Sequence, residues 1–254
     1  MIVRKTDAEI EKMARAGAVV ADTLDLLQAS AAAGVTLIEL DRIAEEFITS
    51  RGGRPTFKGY RGFPGSICAS PNDMIVHGIP GAYTLADGDI LSVDVGVTLR
   101  GFVADSAVTL PIGDVDPERL RLLETCQRSL FAAIEATRVG NHLSDIGHAV
   151  QTVVEDAGFS VVRSLVGHGV GRRYHEDPQV PNFGPPGRGP VLQVGTTLAI
   201  EPMITAGSPD VYVHDDDWSI SSVDSSLAAH FEHTVAITAE GPRVLTAAGA
   251  ALLR

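Results

Sequence analysis

The chain has 254 residues, 44% of them hydrophobic and 20% charged, and carries a net charge of −12. That composition suits a globular protein with a full core and excludes collagen, coiled coil and a disordered chain. So acidic a balance argues against general nucleic-acid or membrane-surface binding. No apolar run reaches the ~18 residues of a membrane span, and Met1 to Asp7 lacks the apolar core and cleavage site of a signal peptide. The two cysteines, Cys68 and Cys126, form no CxxC pair. They point to a reducing compartment, so a cytoplasmic protein without a structural disulfide is expected.

The first helix is expected behind Thr6-Asp7-Ala8-Glu9, which reads as a capping box. Ile10, Met13, Gly17, Val20, Leu24 and Leu27 follow at helical spacing. A second box, Thr36 to Glu39, opens another helix with Leu37, Leu40, Ile43 and Phe47 as its stripe, ended by Gly52-Gly53. A Gly/Pro-rich stretch over 54–65 gives way to short β-like runs as far as about residue 110. Asp116-Pro117 then reads as N-cap and first residue of a third helix carrying Leu120, Leu123, Leu130 and Ile134, stopped by Gly140. A fourth carries Leu143, Ile146, Val150 and Val153 and ends at Gly158. Strand-like runs follow at 160–166, 191–204, 211–213 and 231–238. Helix–helix–strands thus occurs twice, with Gly34 and Gly140 at an offset of 106 residues. Pseudo-repeat halves of about 5–112 and 113–247 are expected within one α+β domain, 1–254.

Four places along this chain carry candidate chemistry. In the run from Gly88 to Val97, Leu91, Val93, Val95 and Val97 share one strand face, and Asp94 lies on the other with Ser92 and Gly96. With a turn near Leu99-Arg100-Gly101, a two-residue loop at Leu99-Arg100 would pair 98 with 101 and set Asp94 opposite Asp105, with Cβ atoms about 5 Å apart, whereas a Gly101 bulge would shift that register by one residue. Two carboxylates so placed need a cation between them or a shared proton; read alone, they fit equally well on a solvated sheet face. The second place is Gly167-His168-Gly169-Val170-Gly171, with His175-Glu176-Asp177-Pro178 just after it. Its three glycines allow a close backbone approach, and with no helix pattern following it is no dinucleotide fingerprint. Glu201, in Leu198-Ala199-Ile200-Glu201-Pro202-Met203, and Glu232, in His230-Phe231-Glu232-His233, interrupt apolar strands. A buried carboxylate needs a partner charge, a metal or a proton, so a structural ion pair is the other reading of each. Mostly oxygen ligands with one imidazole suit Mn, Fe or Co better than a thiolate zinc site. Five carboxylate-rich ligands could bridge two cations, and two-metal hydrolysis follows from that.

These segments, with Asn72-Asp73-Met74-Ile75-Val76-His77-Gly78-Ile79-Pro80 and Phe231-Glu232-His233-Thr234, resemble the type I methionine aminopeptidases, from about residue 5 to residue 247. The resemblance implies the pita-bread fold of peptidase family M24, two pseudo-symmetric halves with a central antiparallel sheet and outer helices. It implies cytoplasmic removal of N-terminal methionine from nascent polypeptides with a small second residue, by attack of a metal-bridging hydroxide on the scissile carbonyl. Asp94, Asp105, His168, Glu201 and Glu232 would hold two divalent ions, with Asp105 and Glu232 bridging, and zinc joins manganese, iron and cobalt as an admissible ion. Glu201 would also be the general base, His175 would stabilise the oxyanion, and His77 would contact the peptide near its second residue. Tyr60, Phe63, Cys68, Tyr174 and Trp218 would line the methionine pocket, where a thioether needs apolar and aromatic surface. A monomer is implied, with the ribosome near the peptide exit as a further partner. Alternatives are another pita-bread aminopeptidase, such as an Xaa-Pro aminopeptidase, or a non-catalytic pita-bread binding module. The chain departs from the family at Ala228-Ala229-His230, where Ser-Ala-Gln is common, and at Tyr174, where phenylalanine is common. A local basic patch lies around Arg51, Arg54, Lys58 and Arg61.

Overall fold

Helix α1 spans Asp7–Ser30, and its start is a reciprocal cap: Thr6 Oγ1 accepts from the Glu9 N–H while Glu9 Oε2 accepts from the Thr6 N–H. The matching box expected before α2 (Leu37–Ser50) does not form, because the Thr36 side chain makes no capping bond. Helices α3 (Pro117–Ala136) and α4 (Leu143–Asp156) complete the set. Asp116 caps α3 by accepting from the Arg119 N–H, as expected, but α3 ends at Ala136 and not at Gly140. Leu120 points out to solvent, and Leu122 and Leu123 face the core in its place. The 14-residue helices α2 and α4 start 106 positions apart, the sequence offset between Gly34 and Gly140.

The computed structural model describes residues 1–247; the last positions of the domain expected over 1–254 lie outside the described residues. Its strands before α3 are β1 (Arg54–Pro55), β2 (Cys68–Pro71), β3 (Met74–Val76), β4 (Ile90–Leu99) and β5 (Phe102–Pro111). After α4 come β6 (Ser160–Val161), β7 (Gly167–Gly169), β8 (Glu176–Val180), β9 (Thr197–Ile200) and β10 (Met203–Thr205). The remainder are β11 (Val211–Val213), β12 (Ile220–Ser222), β13 (Ala228–His230), β14 (His233–Thr238) and β15 (Gly241–Val244). All named pairings are antiparallel, with β4 central to β1, β2 and β5 in one sheet and the order β15-β14-β9-β7-β8 in another. Helices α1 and α2 pack on the Leu91, Val93, Val95 and Val97 face of β4, while α3 and α4 pack on β9 and β14 through Leu130, Ile146, Val150, Leu198 and Val235.

The run expected over 191–204 is broken, and the one expected over 231–238 starts only at His233; a glutamate stands at each place. Pro202 has no N–H to pair, so β9 stops at Ile200 and β10 starts at Met203, in another sheet, with Glu201 between them. Without a proline, β13 likewise ends at His230 and β14 begins at His233 in another sheet, leaving Glu232 between them. Glu201 and Glu232 therefore sit where the chain changes sheet, not inside continuous strands. Among the described residues, no helix is long and apolar enough to cross a membrane.

Candidate metal and substrate site

The β4–β5 hairpin turns at Arg100-Gly101, both with left-handed φ (51° and 80°), and Leu99 pairs with Phe102. The turn thus sits one residue further along than the expected Leu99-Arg100. Asp94 faces Ala107, and Asp105 faces Gly96. The two aspartates are diagonal neighbours rather than directly opposed, and the shift of two residues keeps both on one face. That face is not solvated: Asp94 is 7% and Asp105 1% exposed.

Strand β5 carries these carboxylates to the second half of the molecule. Glu232 donates its N–H to the Ala107 carbonyl at 2.9 Å. Thr234 Oγ1 accepts from the Asp105 N–H at 2.9 Å and donates to the Asp105 carbonyl at 2.8 Å. This stitching sets Glu232 beside Asp105. His168 arrives on β7, paired with Ala199 of β9 two residues before Glu201. The close approach expected of the glycines is present: a Cβ on Gly167 would lie 2.4 Å from the Ala199 carbonyl oxygen, and one on Gly169 would lie 2.1 Å from that of Asp177.

Asp105, His168 and Glu232 offer ligand atoms that all lie within 4.8 Å of one another. Glu201 Oε1 is 3.6 Å from His168 Nε2, and Asp105 Oδ2 is 4.0 Å from the same nitrogen. The His168 Nδ1 bonds the Gly169 carbonyl at 2.9 Å, which requires the proton on Nδ1 and leaves the Nε2 lone pair facing the carboxylates. Burial holds His168 neutral, with its pKa lowered to about 4. It also pushes the Asp94 carboxyl up to about 7. Burial, reinforced by mutual repulsion, raises Asp105, Glu201 and Glu232 well above the usual carboxylate range. Asp94 Oδ1, Asp105 Oδ1 and Glu232 Oε1 are buried without a hydrogen-bond partner. Crowded acids with unpaired oxygens and a poised imidazole fit divalent cations.

This centre forms a small cavity of about 80 Å³. It adjoins a second one of about 630 Å³ lined by Phe57, Tyr60, Phe63, Cys68 and Trp218, and the two share His77, Tyr174 and His175. Every side chain expected at the methionine pocket lines that second cavity. Phe63 meets Trp218 edge-on at 5.1 Å, and Tyr60 meets Tyr174 at 5.2 Å. Sequence reading missed Phe57, whose ring packs at a tilt against that of Tyr174, 5.2 Å between centroids. Its signal is indirect: Gly96 is bare because a Cβ there would lie 2.6 Å from the Phe57 ring. His77 takes a left-handed backbone (φ 60°), strain of a kind that collects at functional positions. The Tyr60 hydroxyl lies 2.9 Å from His175 Nδ1. Burial first, then the neighbouring His168 and Arg61, lowers the His175 pKa to about 3. The departure at His230 falls in the metal cavity, with Nε2 buried, unpaired and 3.8 Å from Glu201 Oε2.

Residues 11–239 match the model of metallopeptidase family M24. The chain belongs to that family. It is 51% identical to the methionine aminopeptidase of Clostridium perfringens (strain 13 / Type A) over 246 residues, 97% of this chain and 99% of the relative. The crystal structure of methionine aminopeptidase from Rickettsia prowazekii superposes with a TM-score of 0.96 at 38% identity, covering 97% of this chain and 100% of that one. Within family M24 the chain stands among the methionine aminopeptidases, metal-dependent exopeptidases with the pita-bread fold. A prolidase from Pyrococcus furiosus shares that fold at 20% identity and a TM-score of 0.78, with this chain covering 65% of its length and 96% of this chain matched.

Proposed function

We propose that the chain removes the N-terminal methionine from polypeptides with a small second residue. The carrying observation is the junction of the two cavities: an acid-lined centre opens, past His77, Tyr174 and His175, onto an aromatic pocket suited to a thioether side chain. Asp94, Asp105, His168, Glu201 and Glu232 would hold two divalent cations, with manganese, iron or cobalt favoured by the oxygen-rich set and zinc admissible. Such ions supply Lewis acidity toward the scissile carbonyl and the attacking water. Glu201 takes a proton from that water and passes it to the leaving nitrogen. The hydroxyl stays on the methionine carbonyl carbon as the C–N bond breaks. A neutral His175 that accepts from Tyr60 at Nδ1 carries its proton on Nε2, free to donate to the carbonyl oxygen as negative charge develops. His77 crowds the second residue.

Release of methionine from Met-Ala-Ser, by protein stripped of metal and then given Mn, Co, Fe or Zn separately, tests this reading and ranks the ions. Folded protein that releases none with any ion would overturn it. Met-Gly peptides should be cleaved far faster than Met-Ile peptides, and the chain's own Met1-Ile2 start should stay intact by mass measurement. The same reading puts the chain in the cytoplasm as a monomer, acting on nascent chains near the ribosomal exit, and the free, buried Cys68 and Cys126 suit a reducing compartment. We infer too that about 5–112 and 113–247 are repeat halves, supported by the matched spacing of α2 and α4.

A further inference from the structure

A cationic groove of about 580 Å³ runs beside the aromatic cavity. Arg54, Lys58, Arg61, Arg172 and Arg173 line it, and no aspartate or glutamate does, in a chain of net charge −12. Lys58 is paired with Glu45 at 2.6 Å, and Arg172 with Glu9 at 3.0 Å. Among the described residues, the guanidinium groups of Arg54, Arg61 and Arg173 make no ion pair within 4.0 Å, although the Arg173 charge also acts on Asp177. The groove and the aromatic cavity share Tyr60, Arg61, Tyr174 and His175.

The shared His175 decides what reaches the groove. On the proposed reading it faces the carbonyl that is cleaved, so the methionine lies on the aromatic side of it. The rest of the polypeptide must leave by a rim of that junction. One rim, Asp216 and Asp217, is acidic; the other, Arg61 with the groove behind it, is basic. With the buried acids neutralised by the cations they would hold, the outer cations of the groove are what attract negative charge further along the substrate. They favour a polypeptide seated amine-first when acids follow its second residue. Extended chain advances about 3.3 Å per residue, so the third to fifth residues are the ones that span such a groove.

We propose that this groove binds acidic side chains at the third to fifth positions of the substrate and biases the enzyme toward chains that begin Met-small-acidic. The proposal rests on the aminopeptidase reading and deepens it. The test compares Met-Ala-Glu-Glu, Met-Ala-Ser-Ser and Met-Ala-Lys-Lys on the metal-loaded enzyme. The acidic peptide should exceed the serine peptide in kcat/KM by about 3–10-fold at low salt, chiefly through KM, with the lysine peptide lowest. The spread should collapse near 1 M salt, where the Debye length is about 3 Å. An Arg54→Ser/Arg173→Ser variant should flatten the spread while leaving Met-Ala-Ser-Ser turnover unchanged. Equal kcat/KM for the three peptides would overturn the proposal. So would groove-dependent binding of single-stranded RNA without any peptide preference, which would assign the groove to a different partner. Failure to cleave any of them would sink the aminopeptidase reading instead. In that event, anisotropy of labelled Ala-Glu-Glu and Ala-Lys-Lys peptides reads the groove directly: acidic-selective binding lost in the variant supports it, and indifference overturns it.

Discussion

The two cavities share three side chains and differ in almost everything else. One, of about 80 Å³, gathers the carboxylates of Asp94, Asp105, Glu201 and Glu232, of which Asp94, Asp105 and Glu232 are buried with an unpaired oxygen each. The other, of about 630 Å³, is walled by rings and a buried thiol. In the first, each group is costly to bury alone, and the cluster is stable only with cations or protons supplied. In the second, burial is favourable in itself, and the pocket waits for apolar surface. On the proposed function the difference separates chemistry from recognition, so substitutions in the two cavities should fail in different ways.

The largest expected effect is on the chemical step. Glu201→Ala should lower kcat by about a thousandfold or more, measured as methionine release, with the fold retained by circular dichroism. The metal-free variant should also melt higher than its parent, because one of four mutually repelling buried acids is gone. Near-normal turnover in folded Glu201→Ala would remove it as the base. His175→Ala comes next, with kcat reduced about 10²–10³-fold through loss of a donor to the developing oxyanion. Tyr60→Phe should move kcat the same way by less, since it frees the imidazole tautomer without deleting the ring. A Tyr60→Phe effect confined to KM would mean the hydroxyl serves only the pocket wall.

On the recognition side, Trp218→Ala should raise KM by about tenfold and leave kcat nearly intact, since it removes apolar cover from the pocket and touches no proton. A fall in kcat as large as that of His175→Ala would erase the distinction between the cavities.

The aromatic wall and the acidic centre were unequally legible in the sequence. Alternation placed Leu91, Val93, Val95 and Val97 on one face of β4 and Asp94 on the other, and the structure has that arrangement. It could not fix the register, because turns at Leu99-Arg100 and Arg100-Gly101 differ by one residue and both leave the aspartates on one face. Glu201 and Glu232 stood out as charges in apolar runs, but the strand breaks around them are tertiary: each run passes from one sheet to another. Phe57 lay in a Gly/Pro-rich stretch without periodicity, so no local pattern could mark it. The hydrogen bonds joining Asp105 to Thr234 span 129 residues, a separation over which sequence spacing says nothing.

The smallest effect is also the one that separates protons from metal in the acidic cavity. Without metal, the folded Asp94 carboxyl titrates near 7 against an ordinary 3.8, and Asp105, Glu201 and Glu232 are raised as well. The folded state therefore holds protons that the unfolded chain has already released, and stability falls as pH rises through those folded values. Buried histidines act in the opposite sense: His168 and His233 are lowered to about 4 and His230 to about 3, so their neutral folded forms gain stability as pH rises toward the ordinary 6.5. Above 6.5 that gain is complete and flat, and the buried Cys68 and Cys126 thiols, raised above their ordinary 9.0, begin to cost stability only as the pH approaches that value, so below pH 8 the carboxylates dominate the change. Between pH 7 and 8 the melting temperature of metal-stripped protein should therefore decline by a few degrees. Saturating divalent metal should abolish the decline by supplying the positive charge the protons had provided, and Asp105→Asn should reduce it. A metal-free melting temperature that is flat or rising across this window would mean the carboxylates already have partners, and the cavity would no longer call for cations.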